Sequence, residues 1–306
     1  MACAQETKKA NQNLARARDA KRDEFYTQLT DIEKELKHYR KHFRGKVVYC
    51  NCDDPKASNF FRYFFLNFKE LGLKRLIATC YKNDNSELRS QGISKKAKYL
   101  DWDGRGEPKT VSLEGDGDFR SEESIALLKQ ADIVVTNPPF SLFREYIAQL
   151  VEHGKRFLVV GNLNSIAYKD IFPLIRDNKM WLGYNCTRWF TTPDGSMFEA
   201  ARSFWYTNLD TAKRHEDIIL YKKYNPSEYP TYDNYDAIEV SKTADIPMNY
   251  NGAMGVPITF LDKYNPDQFE IIGIDRVLVE KLTGKVSRFH IKGKEVYARI
   301  VIRRKR

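Results

Sequence analysis

No stretch of this 306-residue chain is apolar for the ~18 residues that a membrane-spanning helix needs. A membrane-embedded protein of the helical kind is therefore not expected. The first 25 residues, "MACAQETKKANQNLARARDAKRDEF", have no apolar centre, so they do not read as a secretory signal. They are basic and alanine-rich, as transit peptides are, but Asp19, Asp23 and Glu24 argue against that. Cysteine is scarce too. Cys3, Cys50, Cys52, Cys80 and Cys186 make an odd set of five with no framework spacing, which points to reduced thiols in a cytoplasm. Cys50 and Cys52 form a C-x-C inside an apparent strand, and no second pair lies at a zinc spacing, so no metal site is expected. Acidic residues are in deficit: 41 Asp and Glu face 51 Lys and Arg, for a formal net charge of +10. That balance favours a polyanionic partner, with nucleic acid ahead of an anionic membrane.

What is present is an alternation of short apolar runs with helical stretches. Residues 1–22 read as a basic tail or arm. Leu29, Ile32, Leu36 and Tyr39 repeat at helical spacing and predict a helix over 28–43. "GKVVYCNCDDP" reads as a strand closed by Asp53, Asp54 and Pro55. "SNFFRYFFLNFKELG" is an aromatic-rich helix with Ser58 as N-cap and Gly72 at its end. "KRLIATCYK" is a second strand, and "SEESIALLKQA" a helix with an imperfect capping box at Ser121. "DIVVTNPPF" is a third strand, "SLFREYIAQLVEHG" a helix ending at Gly154, "KRFLVVGNL" a fourth strand and "SIAYKDIFPLIRDNK" a further helix. This order predicts an α/β fold: a mostly parallel twisted sheet with helices on both faces. The ligand site of such a sheet lies beyond the carboxyl ends of its strands. From about residue 181 the helical period thins and Trp, Tyr, Pro and Asn accumulate; "EYPTYDNYDAIEV" and "DIPMNYNGAMGVPITFLDKYNPDQFEIIGI" read as loops and short strands. The end of the chain reads as a hairpin turning at Lys292-Gly293.

One strand stops abruptly. In "ADIVVTNPPFSLFREYI" a buried apolar run ends in Asn137, Pro138, Pro139 and Phe140. Two consecutive prolines fix the backbone of that turn almost completely. A plain strand-ending turn would read the same way in isolation. Two further strand-end segments accompany it, "CNCDDP" with Asp53 and Asp54, and "LEGDGDFRSEES" with Asp116, Asp118 and Phe119. Carboxylates there can accept hydrogen bonds from a ribose or an adenine amino group, although Asp116-Gly117 is also an ordinary turn signal.

Asn-Pro-Pro-Phe after a buried strand resembles the catalytic motif of amino-group DNA methyltransferases. The segments "EFYTQ", "VVYCNCDDP", "GDGDF", "ADIVVTNPPFSLFREY" and "MGVPITFLDKYNP", in that order, resemble the EcoRI adenine methyltransferase family from about residue 22 to 305. The resemblance implies a Rossmann-like catalytic domain over 23–205 that uses S-adenosylmethionine, and a target-recognition region over 206–306. It implies that Asn137, Pro138, Pro139 and Phe140 form the catalytic turn. The cofactor contacts it implies are Tyr26 and Thr27 at the methionine end, Asp53, Asp54 and Pro55 after the first strand, Asp118 on the adenine amino group and Phe119 against that ring. The wider superfamily is glycine-rich where this chain has "CNCDDP". Its acidic ribose ligand after the second strand is missing from "ATCYK", and one of Asp53 and Asp54 is a candidate for that contact.

The implied activity is sequence-specific N6-methylation of a flipped-out adenine in double-stranded DNA by a cytoplasmic monomer, as the modification arm of a restriction–modification system whose endonuclease forms no stable complex with it. The same scaffold also serves cytosine N4, RNA adenine or a protein glutamine amide, and a non-catalytic DNA-binding role is the alternative from another class. A second wall for the flipped base is expected from Trp189, Phe190, Phe198 or Trp205. Phosphate contacts are expected from the Lys and Arg of 1–22, 188–223 and 276–306.

Overall fold

The structure is a computed structural model that describes residues 26–52, 58–79, 96–192 and 195–305. Two compact units divide the chain. One takes the described residues up to Ile171 together with Leu182–Leu209; the other takes Phe172–Trp181 and the described residues from Asp210 onward.

The first unit is built on a nine-stranded sheet of β1 (Tyr26–Thr27), β2 (Val47–Asn51), β3 (Arg75–Thr79), β4 (Lys98–Trp102), β5 (Lys109–Ser112), β6 (Ile133–Thr136), β7 (Arg156–Asn162), β8 (Trp181–Thr191) and β9 (Met197–Thr207), ordered β1-β8-β9-β7-β6-β2-β3-β4-β5. Its centre, β3-β2-β6-β7, is parallel. The flanks pair antiparallel, β4 and β5 on one side and β9, β8 and β1 on the other. Every residue of β2 and β6 is buried, as expected of strands covered on both faces. The chain leaves β2 toward β3 but leaves β6 toward β7, in the opposite direction across the sheet. With the right-handed connections such units make, the helices fall on opposite faces, and a crevice opens beyond the carboxyl ends of β2 and β6.

The helical stretches follow their local chemistry. Ile32, Leu36, Tyr39 and Phe43 are all fully buried. The helix expected over 28–43 is α1 (Leu29–Leu36) and α2 (Arg40–Phe43), joined by a tighter turn at Lys37–Tyr39. Ser58 caps α3 (Asn59–Leu66) by accepting from the amides of Phe60 and Phe61. The next helix, α4 (Phe68–Leu71), ends at Gly72, whose φ of +62° is a left-handed conformation that glycine adopts without steric cost. Ser121 Oγ accepts from Ser124 N at 3.2 Å at the start of α5 (Glu122–Gln130). The capping box is replaced by a different bond: Glu123 turns back to accept from the amides of Glu114 and Gly115. The helix α6 (Phe143–Glu152) buries Phe143, Tyr146, Ile147 and Leu150.

One expectation needs correction, and one stretch holds strands that the sequence did not announce. The helix expected over "SIAYKDIFPLIRDNK" is a 3-10 segment, Leu163–Ala167, then a break at Tyr168 in an extended conformation, then the short α7 (Phe172–Arg176). Asn162 starts the 3-10 segment by accepting from Asn164 N at 2.8 Å, a local bond that competes with a regular helix. The stretch just after 181, where the sequence shows only a thinning of the helical period, contains β8 and β9, each eleven residues long.

In the second unit β10 (Ile238–Glu239), β11 (Met254–Pro257), β12 (Phe269–Ile274) and β15 (Arg299–Arg304) form a sheet ordered β10-β11-β15-β12. The helix α8 (Asp275–Thr283) follows β12. The hairpin at Lys292-Gly293 is present as β13 (His290–Ile291) and β14 (Lys294–Glu295). Both turn residues have positive φ, +50° and +74°, as a two-residue hairpin turn demands. The buried pair Arg299–Glu239 and the Tyr232 hydroxyl, which donates to Glu239, form a polar network inside this unit. No helix among the described residues is long and apolar enough to cross a membrane.

Candidate active site

The crevice is stitched by hydrogen bonds between its strand ends. Thr136 Oγ1, the last position of β6, donates to the carbonyl of Asn51, the last of β2. The Tyr146 hydroxyl of α6 donates to Asn51 Oδ1. The turn that follows is therefore held from three elements. Asn137 and Pro138 are buried, Pro139 is half-buried and Phe140 is buried. Pro139 lies at φ −52° and ψ 124°, and its carbonyl accepts from Leu142 N at 3.0 Å, which starts the helical turn leading into α6. Just after the neighbouring strand, Cys52 has a φ of +69°, in the left-handed region that residues other than glycine seldom adopt. Asp53, Asp54 and Pro55 lie outside the described residues.

The segment expected at the methionine end of a cofactor reaches the same place through β8. Thr27 pairs with Phe190 and Tyr26 with Thr191. Directly opposed residues share a face of the sheet. Phe190 is fully buried and meets Phe140 edge-on, with ring centroids 5.9 Å apart at 85°. Thr27 therefore lies on the face that carries the Asn137–Phe140 turn. Asn59, the first residue of α3, donates from Nδ2 to the Thr27 carbonyl at 2.8 Å. The Thr27 side chain is 2% exposed, and its Oγ1 has no hydrogen-bond partner among the described residues. A buried hydroxyl left in that state costs about 1–3 kcal/mol unless something else bonds it.

The loop before α5 supplies the third segment. Asp116 is exposed and its carboxylate accepts from Asp118 N at 3.1 Å, so this residue forms the turn. Asp118 is gripped by Arg120: Nε reaches Oδ1 at 2.9 Å, Nη2 reaches Oδ2 at 2.7 Å, and the Arg120 amide adds a bond to Oδ1 at 2.8 Å. These bonds hold the Asp118 carboxyl below the usual aspartate range, with the Arg120 side chain as the main cause and partial burial opposing it. Phe119 is buried and meets Tyr146 edge-on at 5.1 Å, and its carbonyl accepts from Gln149 Nε2 at 3.0 Å. Tyr146 thus links the Phe119 loop to Asn51 and, through it, to the Asn137–Phe140 turn.

Two supporting side chains were not foreseen from the sequence. Arg120 is one; nothing in "GDGDFRSEES" marks it as the partner of the carboxylate two residues earlier. The other is Glu35. It is fully buried, and its carboxylate accepts from Tyr184 N, Asn185 N, Asn185 Nδ2 and the Tyr39 hydroxyl, each at 2.8 Å. Burial raises its pKa, and the four bonds only partly offset that rise. One turn earlier on α1, Asp31 accepts from Thr187 Oγ1 at 2.6 Å. These two carboxylates clamp α1 to β8, the strand that pairs with Thr27. A Cβ at Gly183 would come within 2.2 Å of Glu35 Oε1 and 2.8 Å of Trp205 Cβ, so β8 needs glycine there. The available signal was Glu35 lying inside the apolar stripe between Ile32 and Leu36, four residues before Tyr39.

Of the four aromatics expected as a second wall, Trp205 and Phe190 are fully buried, while Trp189 is 47% and Phe198 39% exposed. Trp205 packs on Phe60 in the core and is not available as a wall.

Comparison with known proteins adds a second line of information. Residues 13–305 match the family model described as adenine-specific methyltransferase EcoRI. The chain is 49% identical to the Escherichia coli protein named Type II methyltransferase M.EcoRI, over 97% of either chain. It is 39% identical to Type II methyltransferase M.MgeORF184P of Mycoplasma genitalium, over 94% of this chain and 98% of that one. With Type II methyltransferase M.MpnI of Mycoplasma pneumoniae the identity is 38%, over 95% and 97%. No solved structure gives a significant match.

Proposed function

This chain belongs to the EcoRI family of adenine-specific methyltransferases, and from that premise we propose which of its residues carry the reaction and how. It is a type II DNA-modifying enzyme, so the acceptor is an adenine in DNA. The observation that carries the residue assignment is convergence. Thr27, Phe119 and the Asn137–Phe140 turn are far apart in the chain, yet Phe190 joins the first to the third and Tyr146 with Asn51 joins the second to the third.

The adenine amino nitrogen is a poor nucleophile because its lone pair is delocalised into the ring. The Asn137 carboxamide oxygen and the Pro138 carbonyl each accept one N6 hydrogen. Two acceptors favour a pyramidal nitrogen with its lone pair free for attack. The prolines keep both acceptors rigid, so little reorganisation is needed at the moment of reaction. No general base is required beforehand, because the proton leaves after the methyl arrives. Phe140 and Phe198 stack on the base, with each aromatic contact worth ~1–3 kcal/mol. The base must leave the duplex to reach this turn.

The residues suit S-adenosylmethionine, which when bound supplies an electrophilic methyl group on a sulfonium. Asp118, kept ionised by Arg120, suits an amino-group donor, and Phe119 suits an aromatic ring. The buried Thr27 hydroxyl suits a polar methionine end. Tyr26 borders the same segment, and Asp53, Asp54 and Pro55 are assigned to the ribose side. We assign residues 23–205 to catalysis and 206–306 to target recognition, with residues 1–22 as a basic arm, in a cytoplasmic monomer acting without a stable endonuclease complex. The test is transfer of labelled methyl from S-adenosylmethionine to unmethylated genomic DNA, followed by nucleoside chromatography. Label in N6-methyladenine is the expected result; label in N4-methylcytosine, or none in DNA, would sink the assignment.

A further inference from the structure

A carboxylate has about four acceptor positions, two on each oxygen. Arg120 alone fills three of those on Asp118. Oδ1 accepts from the Arg120 amide at 2.8 Å and from its Nε at 2.9 Å. Oδ2 accepts from Nη2 at 2.7 Å, and its second position has no donor among the described residues. Arg120 is held from its far side as well, because Nη1 reaches Glu145 Oε2 on α6 at 3.2 Å. The guanidinium carbon lies 5.3 Å from the centre of the Phe119 ring. The same helix fixes the loop one residue earlier: Tyr146 packs edge-on against Phe119, and Gln149 Nε2 donates to the Phe119 carbonyl at 3.0 Å. The planar fork of an arginine matches the two oxygens of a carboxylate, so the Asp118 side chain is fixed in rotation as well as in place. It nevertheless stays partly exposed.

We propose that Arg120 is a positioning residue: it leaves Asp118 one open acceptor position, on Oδ2, and so makes the site select a purine cofactor that carries an exocyclic amino group over one that carries an oxo group at the same carbon. The inference rests on the assignment of Asp118 to the cofactor adenine made above. An amino group donates, and it fits the open position. An oxo group only accepts, and it would face a carboxylate that also only accepts. Asp118 could meet an oxo group by first taking up a proton. The guanidinium opposes that step, because it holds the Asp118 carboxyl below the usual aspartate range. Without Arg120 the carboxylate would be free to turn, and could swing away from an oxo group or present either oxygen to an amino group. The arginine thus converts a general anionic contact into a directional one. Sites built to hydrogen-bond one particular group reject analogues lacking it far more strongly than apolar pockets do.

The experiment measures calorimetric affinity of the full chain for S-adenosylhomocysteine and for its deaminated form, S-inosylhomocysteine, in which an oxo group replaces the amino group. The wild type should prefer the adenosyl form about 30-fold or more, and Arg120→Gln should bring that preference below about fivefold, chiefly by weakening the adenosyl form. Both forms are measured on the same protein, so a partial loss of fold lowers both affinities and leaves their ratio untouched. Arg120→Lys keeps the charge but not the fork, and should fall between the two. Glu145→Gln loosens only the far side of the guanidinium and should shift the preference least. Adding Arg120→Gln to Asp118→Asn should change adenosyl affinity by less than about twofold, because residues that act through one interaction are not additive. A wild-type preference in Arg120→Gln would overturn the proposal even with both affinities reduced, since Arg120 would then support the loop without directing Asp118. So would a fully additive loss in the double variant. Equal binding of the two forms by the wild type would overturn it too. If Asp118→Asn then also bound the adenosyl form as the wild type does, the assignment of Asp118 to the cofactor would fall with it.

Discussion

Glu35 and Asp118 are both carboxylates fixed by several hydrogen bonds in the same unit, but their surroundings are built differently. Glu35 is fully buried and accepts from four neutral donors. Asp118 is partly exposed and has a guanidinium as its main partner. Burial dominates the first and raises its pKa; the cation dominates the second and lowers it. The difference suits Glu35 to a structural role and, in the proposed site, Asp118 to binding. Glu35 has all its capacity taken by β8 and Tyr39, and holds the strand that positions Phe190. In the proposed site Asp118 keeps its charge on a partly exposed side chain, where a ligand amino group adds a further bond.

The largest effect expected from breaking this pairing is on stability. Glu35→Gln puts an amide N–H against groups that themselves donate, so at least one buried donor pair loses its acceptor. Urea denaturation should show a loss of about 2–4 kcal/mol, against about 1–3 kcal/mol for each buried donor left without a partner. A loss under ~0.5 kcal/mol would mean that the clamp does not hold β8, since changes of that size are ordinary for surface sites. Asp118→Asn should leave stability nearly unchanged, because surface ion pairs contribute little. It should weaken S-adenosylmethionine about tenfold by calorimetry, in line with a charge-assisted hydrogen bond worth about 1.5–3 kcal/mol. Unchanged affinity would remove Asp118 from the cofactor site.

Thr27→Val tests the buried hydroxyl on the same face. Its expected signature is stability equal to or slightly above wild type, with cofactor affinity down about five- to tenfold, the size of one net hydrogen bond. Lower stability with intact affinity would assign the hydroxyl to a structural role.

The smallest effect is in pH dependence, where the two carboxylates should differ in sign. The folded chain holds the Glu35 proton more firmly than the unfolded chain does. Its contribution is most favourable at low pH and is lost as pH rises from the ordinary glutamate range through the raised folded value. Asp118 is the reverse: it contributes above the ordinary aspartate range, and that contribution is lost as pH falls through the lowered folded value. Wild-type stability minus that of Glu35→Gln should therefore decline with rising pH, whereas wild type minus Asp118→Asn should grow. Equal slopes would contradict the contrast.

Features that depend on local backbone chemistry were legible in the sequence. Ser58 and Gly72 bound their helical segment, the Lys292-Gly293 turn has two positive φ values, and the buried run before Asn137 is the central strand β6. Features that depend on distant partners were not. Nothing local announces that Tyr26 and Thr27 form a strand, because their partners are Phe190 and Thr191, over 160 positions away. Nor does composition reveal that Glu35 belongs in the core, since its four donors come from Tyr39 and from a strand about 150 residues on. The strands β8 and β9 escaped notice for the related reason that one hairpin serves a buried face and an exposed apolar one, which blurs the two-residue period. The motif at Asn137 could be read because its rigidity is covalent; the supports around it are tertiary.

The most direct test of the account is single-turnover methyl transfer by Asn137→Ala at saturating S-adenosylmethionine and site-containing duplex, alongside calorimetric cofactor binding. Loss of one aligned acceptor in a preorganised turn should lower the rate about 10²–10³-fold while cofactor affinity stays within twofold of wild type. A rate within a few fold of wild type would mean that the Asn-Pro-Pro-Phe turn is only a strand ending, and that the acceptor for the adenine amino group lies elsewhere.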